Sequence, residues 1–200
     1  MANPAPFGKE DDGKICDVGN RREATVDELH RAPGKAEIVN GELVLMSAAS
    51  DAHGYAAREV LVSLRDHEKR IGGGRAIPDN VGFIVNLPNR RSFSPDAAFH
   101  VGRSFGSRFI EGAPIFAVEI RSDEDYGPVA DRGLAGKRAD YFAAGTLVVW
   151  DVDLFRDGLV RVYRATDSLA PTIYRRGERA EAEPAVPGWS MAVDDLFLPL

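Results

Sequence analysis

The chain has 200 residues, of which 44% are hydrophobic and 28% charged, with a formal net charge of −6. That length suits one domain with a real core. No run approaches the ~18 apolar residues of a membrane span, the N-terminus MANPAPFGKEDDGK lacks the basic and apolar regions of a secretory signal, and the lone Cys16 excludes an intrachain disulfide or a multi-cysteine zinc site. A soluble protein of a reducing, cytoplasmic compartment is expected. The acidic balance does not advertise a nucleic-acid partner, although a local basic groove can sit on an acidic surface.

Residues 1–20 are rich in Pro, Gly, Asp and Lys, show no periodicity, and read as a loose tail ahead of one domain over 21–200. In ATVDELHRA, Thr25 and Glu28 have the spacing of a capping box, so a short helix is expected near Thr25–His30. KAEIVNGELVLMS reads as a hairpin, with Asn40-Gly41 as a favoured two-residue turn between Ile38-Val39 and Leu43-Val44-Leu45. Ser50 or Asp51 can cap the next helix, whose Ala57, Val60, Leu61 and Leu64 form one apolar stripe, and Gly72-Gly73-Gly74 ends it.

Three strand-like runs follow: VGFIVNL (81–87), SPDAAFHV (94–101) and PIFAVEI (114–120). The polar loop RSDEDYGP leads to a second helix over roughly Asp131–Ala144, weakened by Gly133 and Gly136. TLVVWDVD (146–153) is another strand, VRVYRA (160–165) and a segment around Tyr174 form a β extension, and the terminal AVPGWSMAVDDLFLPL packs Trp189, Leu196 and Phe197 on the body. The fold class expected is α/β or α+β: a mixed sheet flanked by helices, with an N-terminal hairpin and a C-terminal β extension.

The run APIFAVEI (113–120) is apolar or Pro at every position but Glu119. A short apolar run without alternation reads as a strand buried on both faces. A carboxylate there loses hydration at a cost of several kcal/mol unless something compensates. In SPDAAFHV, Asp96 shares a face with Ala98 and His100; if the two strands pair through a hairpin-like connection, Asp96 and Glu119 converge. Two close carboxylates require a proton or a cation between them, and oxygen ligands of this kind suit Mg²⁺. The alternatives are turn chemistry at Ser94-Pro95-Asp96 and a structural ion pair of Glu119 with Arg121 or another cation. Lys137 lies near Leu134 and Tyr141 on one helix face, where it either snorkels to the edge or points into a cleft.

Other features carry less. His30, His53, His67 and His100 have no zinc-motif spacing, though His53 near a helix start can reach an active-site edge. Ser47, Ser50 and Ser122 lack a nucleophile elbow, and the Gly72–Gly74 run does not lead a strand into a helix, so it is no dinucleotide loop. Arg90, Arg91, Arg103 and Arg108 are either solvated loop charges or phosphate contacts.

The order GELVLMS, a His in the following helix, SPDAAF, FAVEIRS, KRADYFAAGTLVVWDVD, VRVYR and a terminal PGW…DDLF resembles the Uma-two family of restriction-endonuclease-like proteins, of the PD-(D/E)XK nuclease superfamily, over about residues 25–198. The resemblance implies a metal-dependent nuclease, DNA as the substrate and Mg²⁺ or Mn²⁺ as cofactor. It implies Asp96 as the PD aspartate, Glu119 as the second acid, the carbonyl of Ile120 as a further metal ligand, and Lys137 as the lysine supplied from the next helix. Glu42 and His53 stand where the family carries polar residues near the site, and Ser122 matches the serine after the second acid. Trp150 and Asp153 match the strand after the helix. Arg90, Arg91, Arg121, Ser122 and Tyr141 are then candidates to contact substrate.

Two departures stand out. The family's E-V-L-S is EIRS here, placing Arg121 two residues after Glu119, where it either salt-bridges an acid or replaces the lysine without serving as a base. G-V-P-E-Y-W is GTLVVW, without the acid before the tryptophan. The alternative function is a non-catalytic nuclease-fold binding or interaction module whose buried acids are structural; exposed edge strands make a homodimer plausible.

Overall fold

The computed structural model describes residues 22–103 and 106–199. The expected N-terminal tail, with Cys16, lies outside the described residues. In chain order the elements are α1 (Val26–His30), β1 (Ala36–Val39), β2 (Glu42–Leu45), α2 (Asp51–Ile71), β3 (Arg75–Ile77), β4 (Phe83–Ile84), β5 (Ser92–Phe93), β6 (Ala97–His100), β7 (Ile110–Glu111), β8 (Phe116–Ile120), α3 (Pro128–Ala143), β9 (Val148–Asp153), β10 (Leu159–Arg164), β11 (Asp167–Arg175), β12 (Arg179–Glu181), β13 (Ser190–Ala192) and a 3₁₀ turn, Val193–Leu196. Among the described residues no helix is long and apolar enough to cross a membrane.

The central sheet has the order β11-β10-β9-β8-β6-β3. Only the β8–β9 pair is parallel, and it needs the crossover that α3 supplies. Strand β9 is buried along its whole length, as befits a central strand of a sheet covered on both faces. One face carries Ala97, Phe99, Phe116, Val118, Ile120, Trp150 and Val152, packed against Ala56, Ala57, Val60 and Leu64 of α2 and against Trp189, Met191 and Leu196 of the C-terminal segment. The other face carries Ala98, Ala117 and Val149, packed with Phe83, Phe93 and Tyr141. The mixed sheet between helices is therefore present, with the N-terminal hairpin and a C-terminal β extension.

Local chemistry explains most boundaries. Thr25 and Glu28 close the full capping box of α1. Ser50 accepts the backbone N–H of His53 at the start of α2, and Gly72 ends that helix at φ 77°. Asn40 and Gly41 turn β1 into β2 at φ 51° and 75°, the signature of a type I′ hairpin turn. Helix α3 begins at Pro128, three residues before the expected Asp131, because Pro is well suited to the first helical position.

The run 81–87 is not one continuous strand. Only Phe83–Ile84 is extended and paired, and it joins β5 and β7 in a separate three-stranded sheet. The chain beyond it folds back on itself, with the N–H of Val85 donating to the Arg91 carbonyl and that of Leu87 to the Arg90 carbonyl. This reversal brings Arg90 and Phe93 beneath the hairpin β1–β2.

Candidate active site

Strands β6 and β8 are antiparallel, with Ala97 opposite Val118, Ala98 opposite Ala117 and Phe99 opposite Phe116. Continuing this register by one step sets Asp96 beside Glu119. The backbone closes the pair tightly: the Asp96 N–H donates to the Val118 carbonyl at 3.0 Å, and the Ile120 N–H donates to Asp96 Oδ2 at 2.7 Å. Pro95 and the loop before it hold Asp96 outside the strand proper, so its carboxylate turns back along the edge.

Glu119 is met from α3. Lys137 Nζ donates to its Oε2 at 2.7 Å, and the Tyr141 hydroxyl donates to its Oε1 at 2.6 Å. The i, i+4 spacing of Lys137 and Tyr141 puts both on one helix face. Tyr141 is held flat against Phe93, with ring centroids 4.0 Å apart and planes 14° apart. The Lys137 side chain thus points into the cluster rather than out to solvent.

Lys137 also pairs with Glu37 Oε1 at 2.9 Å. Glu37 is buried on β1, takes Arg90 Nη1 on Oε2 at 2.5 Å and receives the Ser94 N–H on Oε1 at 2.9 Å. Arg90 continues to Asp140 of α3, at 2.8 Å through Nε. On the other side, Asp96 Oδ1 receives Lys35 Nζ at 2.5 Å and lies 3.2 Å from His53 Nε2. Lys35 spans onward to Asp79 at 2.7 Å.

The protonation states follow from these contacts. Burial pushes the Asp96 carboxyl up, but His53 and Lys35 outweigh it and hold Asp96 well below the usual carboxylate range. Burial likewise acts against Glu37, and Lys137 and Arg90 more than offset it, so Glu37 is lowered. Glu119 is raised, because burial, with help from Asp96 and Glu37, exceeds what Lys137 returns. Burial lowers and the two glutamates raise Lys137, and the glutamates win, so its ammonium stays charged. His53 is raised above its ordinary 6.5, because Asp96 outweighs burial.

The structure brings together Asp96, Glu119, Lys137, Tyr141, Arg90 and His53 from the sequence-derived candidates. It does not bring in Arg121, whose guanidinium turns to the neighbouring strand and grips Asp151 bidentately at 2.7 and 2.8 Å, with Nη1 on Asp131 at 2.8 Å. Arg121 therefore neither pairs with Glu119 nor faces an open surface. Ser122 caps its own loop, with N–H and hydroxyl both on Asp125 Oδ2 at 2.8 Å. Glu42 is exposed on β2, beside a cavity it lines with Arg22, Glu28 and Asn40, rather than in the Asp96 cluster. Arg91, Arg103 and Arg108 are exposed. Trp150 is a core residue that donates from Nε1 to the Glu181 carbonyl, and Asp153 accepts the Tyr126 hydroxyl.

Sequence reasoning missed Glu37 and Lys35. The signal was available: Glu37 sits between Ala36 and Ile38 in a strand-like run, the same anomaly that exposed Glu119. Asp79 and Asp140 gave no comparable signal, because acids in a turn and on a polar helix are ordinary.

Among the described residues, no group of three or more His, Cys, Asp or Glu side chains forms a ready-made metal cage. The donors nevertheless suit a hard divalent ion. Five carboxylates and three permanent cations form two ion-pair chains, Lys35 with Asp79 and Asp96, and Lys137 and Arg90 with Glu37, Glu119 and Asp140, and the β6–β8 register sets the two chains side by side at Asp96 and Glu119. Mg²⁺ keeps several of its waters and is commonly held by one or two carboxylates, so Asp96 and Glu119 supply enough.

The profile of the Uma2 family, described as "putative restriction endonuclease", matches residues 26–194. The chain belongs to the Uma2 family. The matched span covers the hairpin, both faces of the sheet and every residue of the Asp96–Glu119 cluster. Among solved structures, the Uma2 chain is similar to one described as a putative nuclease belonging to DUF820 from Anabaena variabilis, with 17% identity, a TM-score of 0.68, and coverage of 87% of this chain and 97% of that one. At that identity the likeness concerns the fold alone. No curated protein sequence matches the chain.

Proposed function

We propose that this Uma2 protein is a metal-dependent nuclease that hydrolyses phosphodiester bonds in DNA, with Asp96, Glu119 and Lys137 at its centre. The observation that carries this is the convergence of the three side chains from separate elements, the β6 edge, β8 and α3, within one chain of a restriction-endonuclease family. Asp96, Glu119 and the Ile120 carbonyl would hold Mg²⁺ or Mn²⁺. When bound, that ion polarises the scissile phosphate and lowers the pKa of a coordinated water.

The chain's own residues do the rest. Lys137 keeps its charge, so its role is to orient the water and stabilise negative charge on the phosphoryl oxygens, not to act as a base. Tyr141 and Glu37 fix the ammonium and the Glu119 carboxylate in place. His53, on Asp96 and raised toward the cationic form, is the group that exchanges a proton with the leaving side. The exposed Arg91, Arg103 and Arg108 contact backbone phosphates, so DNA binding weakens with salt.

A second function, a nuclease fold kept as a binding module, is favoured by one observation: each acid of the cluster already has an internal cation. Cleavage of duplex DNA with Mg²⁺ or Mn²⁺ separates the two. The nuclease cuts as wild type, while Asp96→Asn, Glu119→Gln and Lys137→Met lose at least about a hundredfold, the scale for removing a transition-state donor. Equal cutting by all four proteins would refute this site, and no cutting by any would favour the binding module.

A further inference from the structure

The counter-charge of the Asp96 corner is held in an unusual way. Asp96 has three donors. Oδ2 receives the Ile120 N–H, which belongs to the backbone of a central strand and cannot leave. Oδ1 is shared by His53 Nε2 and Lys35 Nζ. Lys35 reaches in from the loop just before β1, along a flexible four-carbon stem, and only 18% of its side chain is exposed.

Its ammonium already touches a second carboxylate, Asp79, at 2.7 Å. Asp79 is 41% exposed and is set by its own turn, where it accepts the Asn80 N–H at 2.7 Å and Asn80 has φ 61°. The second acceptor is therefore in place before any rearrangement. Lys137 has no such outlet, since both of its acceptors, Glu37 and Glu119, belong to the buried cluster.

We propose that Lys35 is a displaceable counter-cation: it occupies Asp96 while the metal is absent, and it transfers to Asp79 when a divalent ion binds. This rests on the metal-dependent function above and deepens it by naming what regulates metal loading. An ammonium and a divalent ion repel strongly at contact distance, so the two exclude one another on Oδ1. Because Lys35 keeps one ion pair throughout, the exchange costs less than stripping a buried lysine bare. Metal affinity is then set by the competition between Asp96, Asp79 and the ion, not by the ligands alone.

The test is calorimetric titration of Mn²⁺ alone into the full chain, at fixed pH and ionic strength, for wild type, Lys35→Met, Asp79→Asn and Asp96→Asn. Lys35→Met removes the competitor, and Mn²⁺ binds about tenfold tighter, the scale of one charge-assisted hydrogen bond. Asp79→Asn removes the alternative acceptor, so Lys35 stays on Asp96 and Mn²⁺ binds about tenfold more weakly. Asp79 is on the surface, so this variant reads the exchange even where Lys35→Met perturbs the hairpin. Asp96→Asn abolishes binding. Binding by Lys35→Met alone would support the proposal in its strongest form. Equal affinity in wild type, Lys35→Met and Asp79→Asn overturns it while leaving the metal site standing. Absence of binding in wild type and in Lys35→Met overturns both.

Discussion

Replacing Lys137 by Met leaves the buried Glu37 and the part-buried Glu119 without their shared ammonium. Glu37 retains Arg90 and the Ser94 N–H, but Glu119 retains the Tyr141 hydroxyl and the more distant charge of Lys35, with Asp96 beside it. The cheapest response is for Glu119 to take up a proton. Its ordinary pKa is 4.5, and each pH step above that costs about 1.36 kcal/mol to hold the proton. The loss of stability is therefore capped near 3.4 kcal/mol at pH 7 and near 0.7 kcal/mol at pH 5.

The sign follows from linkage. Burial, Asp96 and Glu37 already raise Glu119 in the wild type; without Lys137 it rises further, so the variant's native state binds the proton more readily and its deficit in stability narrows as pH falls toward 4.5. Urea denaturation of both proteins at pH 7 and pH 5 measures this directly. The difference should shrink by up to about 2.7 kcal/mol between the two, and adding Glu119→Gln to the variant should erase the pH dependence. A loss that is the same at both pH values would refute Lys137 as the charge that opposes protonation of Glu119.

Two further outcomes test the surroundings. Arg121→Met strips the buried Asp151 of its partner, an effect of about 3–5 kcal/mol, while the lost contact to Asp131, 54% exposed, adds little; thermal unfolding should fall by roughly 10 °C with Mn²⁺ affinity unchanged, and a change in affinity with an unchanged midpoint would assign Arg121 to the site instead. His100 is lowered from its ordinary 6.5 chiefly by burial and then by Arg75, so its contribution is present above pH 6.5 and is lost as pH falls through the lowered value. Melting curves from pH 7.5 to 5 should therefore decline less steeply for His100→Gln than for wild type, and parallel curves would exclude His100 as the source.

The secondary elements were legible where local chemistry and tertiary packing agree. The Thr25/Glu28 box, the Asn40-Gly41 turn, the Ser50 cap and the Gly72 stop are each a short-range interaction, visible in the chain and found in the structure. The Asp96–Glu119 pairing was legible too, because alternation fixes which face a strand residue occupies, and the antiparallel register does the rest. The 81–87 run misled because an apolar stretch reports burial, not continuity; its backbone is claimed by a reversal at Arg90 and Arg91. The partners of Arg121 were illegible for a different reason. Strand β9 lies beside β8 only through a crossover, and the Glu119–Asp151 register that brings Asp151 within reach is a property of the whole sheet.

The hairpin β1–β2 is a sheet of its own. It meets the body through the Val39–Arg90 bridge, the Ile38 N–H on Ser92 Oγ, a small apolar patch, and the ion pairs of Glu37 and Lys35. An isolated two-stranded hairpin is marginal in water. Seen this way, the segment behaves as a tethered ligand whose receptor is the rest of the chain. Its effective concentration is set by the short connection to α2, and its affinity depends on carboxylate–cation contacts as well as on apolar area. The cluster around Asp96 is complete only while that intramolecular ligand is bound.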